Sequence, residues 1–145
     1  MNLESVKTIF EIAYYIVAIC AAIAAVIVYY QNRKLEQSRW ASMFYEKFYE
    51  SNKYTKIRVL LDSSNVQGIE KIISEEPVEF NDYLNFFEHI AIFAESKQLA
   101  GSDVEASFAY YLNCLAKIPQ VRAYINNEEK GYEKLRAYLN KRSTQ

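Results

Sequence analysis

Hydrophobic positions along this chain follow two patterns. From Ile12 to Tyr30 (IAYYIVAICAAIAAVIVYY) they are continuous, with no charge, no proline and no glycine. From Trp40 onward they recur at helical spacing between polar residues. About 20 apolar residues rising 1.5 Å each cover the roughly 30 Å hydrocarbon core of a bilayer. Phe10 to Tyr30 supplies that length, so the pattern predicts a transmembrane helix over 12–32 after a short polar lead over 1–11. Asn2 or Ser5 is the candidate cap of that helix.

The flanks support the same reading. Tyr14 and Tyr15 near one end, and Tyr29 and Tyr30 at the other, suit the headgroup interface, where an aromatic ring is apolar and its hydroxyl reaches water. Arg33, Lys34 and Arg39 follow the run, against Lys7 alone before it. The positive-inside rule then predicts a single pass through the cell inner membrane, with the N-terminus outside and residues 33–145 in the cytoplasm. The three basic residues can also rest on anionic lipid, at about 1 kcal/mol per charge. A buried core helix of a soluble protein seldom runs this far without a polar face. A cleaved signal peptide, with Ala22-Ile23-Ala24 as its site, would want a basic leader and a shorter core. Ala18, Ala21, Ala22 and Ala25 form a small face of the kind that lets two spanning helices approach, which predicts self-association into a homo-oligomer.

Beyond the run, periodicity predicts only helices. Trp40, Met43, Phe44 and Phe48 make one stripe, on a continuation of the spanning helix. Ser51-Asn52 reads as a kink or cap, Tyr54 to Asp62 as a helix, Ser63 to Gly68 as a turn, Ile69 to Ile73 as a short helix and Ser74 to Glu79, with Pro77, as an acidic loop. Phe80 to Ser96 is the clearest helix, with Phe80, Tyr83, Leu84, Phe87, Ile90, Ala91 and Ala94 on one face and Asn81, Asn85 and His89 opposite. Ser102 and Glu105 fit a capping box for a helix carrying Val104, Phe108, Tyr111, Leu115 and Ile118. Pro119 opens a short helix to Ile125, Asn126 to Gly131 is a turn, and Tyr132, Leu135, Tyr138 and Leu139 pattern a last helix. No segment alternates with period two. The predicted fold class is all-α: an N-terminal transmembrane helix continuing into a cytoplasmic bundle of four or five helices.

Charge narrows the partners. With Lys7, Glu4 and Glu11 set aside, the 17 basic and 18 acidic residues become 16 of each, so the domain is neutral and offers no electrostatic case for nucleic acid. Cys20 and Cys114 sit in different parts of the chain and imply no disulfide framework. No metal-ligand spacing surrounds the single histidine, and neither a nucleophile elbow nor a phosphate loop occurs. The sequence therefore predicts no catalytic residue, no metal and no cofactor. Cys114 reads as a buried structural thiol. Glu88, at the edge of the apolar face of 80–96, needs a partner, and Arg58 in IRVLL is the expected one, as a register-fixing ion pair or a polar pocket. Nine of the 13 tyrosines follow the run, and Tyr45, Tyr49 and Tyr54 do not share one face, which hints at a recognition surface.

The segment W-x-x-M-F-Y-E-x-F (Trp40 to Phe48) and the helix F-N-D-Y-L-N-F-F-E-H-I-A (Phe80 to Ala91), after one span with a basic exit, resemble a family of uncharacterised bacterial membrane-anchored proteins. In these a domain of unknown function follows a single span. The resemblance implies a bacterial inner-membrane protein and supplies no activity or catalytic residue. The leading expectation is a non-enzymatic interaction module that self-associates and binds a cytoplasmic protein. The alternative is a membrane-acting effector whose assembled spans perturb the bilayer, although a span without an intramembrane charge has no polar face to line a pore. An enzyme would need a pocket around Glu88, Arg58 or His89.

Overall fold

A computed structural model describes residues 3–142. Asn2 and the side chain of Ser5, the two expected caps, lie outside what is described. Among the described residues there is no strand. Seven α-helices occur in order: α1 (Leu3–Tyr49), α2 (Thr55–Asp62), α3 (Val66–Glu75), α4 (Pro77–Glu95), α5 (Gly101–Lys117), α6 (Pro119–Asn126) and α7 (Glu133–Arg142). Short 3-10 turns precede α2 (Asn52–Tyr54) and α7 (Glu128–Lys130). The chain forms two compact units, one up to Glu36 and one from Gln37.

The first unit is helical throughout its described length and includes the apolar run. The second unit is a bundle. Six α-helices follow α1, where four or five were expected, because the breaks are so short. Glu76 alone separates α3 from α4, and Ile118 alone separates α5 from α6. In both cases proline takes the first helical position, where its missing N–H would have had no intrahelical partner anyway. Pro77 therefore opens a helix rather than lying in a loop. The expected turn over 63–68 is also shorter than its residues suggested. Ser64 takes the left-handed conformation (φ 53°), Asn65 caps α3 by accepting from Gly68 N at 2.8 Å, and Val66 to Gly68 are already helical.

The expected capping box is not formed. Helix α5 begins at Gly101 with Ala100 as its cap residue, so Ser102 lies inside the first turn. Glu105 instead reaches α7, where Arg142 Nη2 donates to it at 2.6 Å and the Tyr138 hydroxyl at 3.4 Å. Gly131 (φ 75°) ends the turn before α7 in a conformation that residues with a Cβ rarely adopt.

The core gathers around Phe48, which is 0% exposed. Its ring centroid lies 4.9 Å from that of Tyr111, 5.1 Å from Phe86, 5.4 Å from Phe108 and 5.6 Å from Phe87. Three helices thus meet on one side chain: the end of α1, α4 and α5. Helix α4 buries Phe80, Tyr83, Leu84, Phe86, Phe87, Ile90 and Ala91, the wide face its periodicity predicts. Helix α5 buries Val104, Phe108, Tyr111, Leu112 and Leu115, and α7 buries Leu135 and Leu139. In the stripe at the end of α1, Phe44 and Phe48 are buried and Trp40 packs on Phe93 at 4.7 Å, while Met43 stays exposed.

Candidate functional site

The most unusual surface in the described chain is the apolar run of α1. Its large side chains, from Ile12 to Tyr30, are exposed by between 50% (Ile27) and 70% (Tyr14). Helix α1 is long and apolar enough to cross a membrane, and no part of its most apolar window is buried against the chain. Such a helix, hydrophobic on every side, has no face to turn toward a core of its own. Ala18, Ala21, Ala22 and Ala25 are all exposed. The ring pairs Tyr14–Tyr15 and Tyr29–Tyr30 stand edge to face at 5.8 and 5.9 Å, one pair toward each end of the run. Arg33, Lys34 and Arg39 are exposed beyond it.

Arg58 and Glu88 do not pair; each is taken by other groups. Arg58 Nη2 donates to the carbonyl of Tyr49 (3.2 Å) and to Thr55 Oγ1 (3.1 Å), and its guanidinium lies 5.4 and 5.5 Å from the ring centroids of Phe48 and Tyr49. It thus closes the C-terminal end of α1, where unsatisfied carbonyls favour a cation. Glu88 accepts from the backbone N–H groups of Lys134 (3.0 Å) and Leu135 (2.7 Å). Those amides belong to the first turn of α7, which has no intrahelical acceptors for them, and the carboxylate supplies the charge that end of a helix favours. Glu88 is therefore an N-terminal anchor for α7 contributed by α4.

Tyrosine hydroxyls make further polar links across the bundle. Tyr49 donates to Ser107 O at 2.9 Å, Tyr110 to Leu61 O at 3.0 Å and Tyr111 to Asp62 Oδ2 at 3.5 Å. Tyr124 and Tyr132 both donate to Asn81 Oδ1, at 2.6 and 3.0 Å. Asn81 was expected on a polar face; it is the half-buried acceptor joining α4, α6 and the start of α7, and nothing in the sequence marks it. Burial pushes the Tyr132 phenol up to about 12, with Tyr124 and Glu88 adding to the rise. Of the three tyrosines weighed as a recognition surface, Tyr45 is exposed, Tyr49 partly buried and Tyr54 buried.

The bundle surface carries open clefts. One of ≈ 440 Å³ lies among α4, α5 and α7, with Ala91, Ala94 and Ala137 along it and the Glu95–Lys134 and Glu105–Arg142 ion pairs at its rim. A second of ≈ 290 Å³ runs between the α2–α3 turn and α5 and is lined in part by Cys114. Burial raises the Cys114 pKa, so the group stays a thiol and is a weak nucleophile near neutral pH. His89 is exposed. Among the described residues no group of three or more His, Cys, Asp or Glu gathers to hold a metal ion.

No family model, no curated protein and no solved structure matches this chain.

Proposed function

We propose that this chain is a membrane-anchored helical interaction module. In this reading the apolar run of α1 crosses the bacterial inner membrane with its N-terminus outside. The bundle from Gln37 onward works at the cytoplasmic face, where it binds a protein partner. The single observation that carries the reading is the continuous uncovered run from Ile12 to Tyr30 in a chain whose later helices bury a core of their own. An apolar surface of that length is unstable in water and stable in lipid. Tyr14, Tyr15, Tyr29 and Tyr30 take the two interfaces, and Arg33, Lys34 and Arg39 hold the basic end on the cytoplasmic side. Copies associate through Ala18, Ala21, Ala22 and Ala25, which admit close backbone approach. Tyr45, exposed on the rim of a cleft of ≈ 450 Å³ that also holds Glu46, Glu50 and Asp103, is the first candidate contact for the partner.

The test uses the full chain, labelled with donor and acceptor fluorophores and reconstituted in lipid vesicles. Energy transfer that disappears in an Ala18→Ile, Ala22→Ile, Ala25→Ile variant supports association through this face. A strictly monomeric chain that also retains no protein from a bacterial membrane extract overturns the reading.

A further inference from the structure

At the C-terminal end of α1 the otherwise aromatic core turns polar. Arg58 of α2 uses Nη2 on the Tyr49 carbonyl and on Thr55, but its Nε is buried and no protein acceptor reaches it. Tyr83 of α4 is 0% exposed, and its hydroxyl likewise has no protein partner. Both groups lie against the same side chain. The Arg58 guanidinium is 5.4 Å from the Phe48 ring centroid, and the Tyr83 ring is 6.0 Å from it. A buried donor left unpaired is as costly as a broken hydrogen bond, and native interiors rarely keep one.

We propose that Arg58 Nε and the Tyr83 hydroxyl share one buried water molecule, which links α2 to α4 at the last turn of α1. The chemistry of the neighbourhood selects water over an anion. Arg58 Nε only donates, so the occupant must accept a hydrogen bond. Asp62 and the Tyr111 hydroxyl, 3.5 Å apart, stand close enough to the Tyr83 phenol to perturb it. Burial raises that phenol's pKa well above its ordinary value, Tyr111, Cys114 and Asp62 add to the rise, and Arg58 opposes it. A small anion would be opposed by the Asp62 carboxylate, whose charge acts on this phenol. Water accepts from Arg58, exchanges a hydrogen bond with Tyr83 and keeps a hydrogen to donate, in keeping with the roughly three bonds a buried water makes. The site owes nothing to membrane insertion and stands or falls separately from the proposed function.

Tyr83→Phe in the full-length chain in detergent is the first test. Its melting is followed by the fluorescence of Trp40, the only tryptophan, which packs on Phe93 within the bundle. A hydroxyl bonded to water makes the variant melt lower, by about 4 °C or more. A variant that melts at the same or a higher temperature means the hydroxyl was bare, and the proposal is overturned. Adding Arg58→Met tests the sharing: one common water predicts a combined loss smaller than the sum of the single losses, and additive losses count against it. A crystal structure of the full chain gives the independent answer. A single water within about 2.7–3.2 Å of both atoms supports the proposal. Direct bonds from both atoms to protein groups refute it.

Discussion

Tyrosine is used differently in the two units. In the first unit Tyr14, Tyr15, Tyr29 and Tyr30 are exposed, and their rings meet in two edge-to-face pairs. In the second, Tyr54, Tyr83 and Tyr132 are buried, and the Tyr49, Tyr110 and Tyr124 hydroxyls are bonded across the bundle. Alanine divides in the same way: Ala18, Ala21, Ala22 and Ala25 are exposed, and Ala91 is buried on α4. Residue type does not decide burial here; periodicity does. An apolar stripe tells a helix which side to turn inward, whereas a run apolar on all sides leaves its cover to something outside the chain. The two units should therefore fail independently.

The largest effect is expected in the bundle. Phe48→Ala removes the ring on which α1, α4 and α5 meet, and truncating a buried phenylalanine costs about 3–5 kcal/mol. The cooperative melt reported by Trp40 fluorescence should vanish or fall steeply, while the fraction of chain retained in carbonate-washed membranes stays as before. Ile19→Arg is the mirror experiment. A cation at the middle of a span costs about 2.5–3.5 kcal/mol on insertion, roughly a hundredfold in partitioning. Membrane retention should drop and the melt of the bundle should stay unchanged. If Ile19→Arg also abolishes the bundle's melt, the two units are one cooperative structure.

Next in size is the link between α4 and α7. Glu88→Ala leaves two backbone N–H groups of the first turn of α7 without their carboxylate, a loss of about 2 kcal/mol for charge-assisted bonds. Glu88→Gln keeps an acceptor and should recover part of it. Hydrogen exchange at the Lys134 and Leu135 amides reads this directly. If Arg58→Met, with Glu88 intact, accelerates the same amides to the same degree, the two residues act as a pair after all.

A pH-dependent effect separates the units again. The Tyr132 and Tyr138 phenols are both raised by burial from 10.0 to about 12. Their folded forms hold a proton that the unfolded chain gives up near 10. The stability they contribute is therefore complete below pH 10 and is lost as pH rises from 10 toward 12. The melting midpoint should be flat from neutral pH to about 9.5 and fall above it. A flat profile to pH 12 would mean these phenols are as wet as those of an unfolded chain.

What the sequence revealed follows the same division. The stripes of α4 and α5 were readable because Phe80, Tyr83, Leu84 and Phe87, or Val104, Phe108 and Tyr111, repeat at a period that only a helix satisfies. The uncovered run of α1 was readable because length and composition alone define it. Partnerships between distant segments were not readable. Arg58 turned to the end of α1 and Glu88 to the start of α7, where each meets backbone atoms, which every residue carries. Asn81 was invisible for the related reason that its partners, Tyr124 and Tyr132, lie more than 40 residues away.

Helix starts show the same limit at the smallest scale. Asn65 and Ser102 both look like caps, but only Asn65 accepts from the amide three residues on, at 2.8 Å. Ser102 lies within the first turn of α5, and its hydroxyl is 3.5 Å from Asp103 Oδ1. A capping motif names residue types at a spacing; whether it caps depends on where the chain bends, and α5 begins at Gly101, two residues before the Asp103 start that a Ser102 cap would give. Asn65→Ala should therefore cost about 1 kcal/mol, the usual value of a lost cap, and Ser102→Ala less than about 0.5 kcal/mol. Paired melts of the two variants, read at Trp40, measure the difference. Equal losses would put Ser102 back at the head of its helix and move the start of α5 to the residue after it.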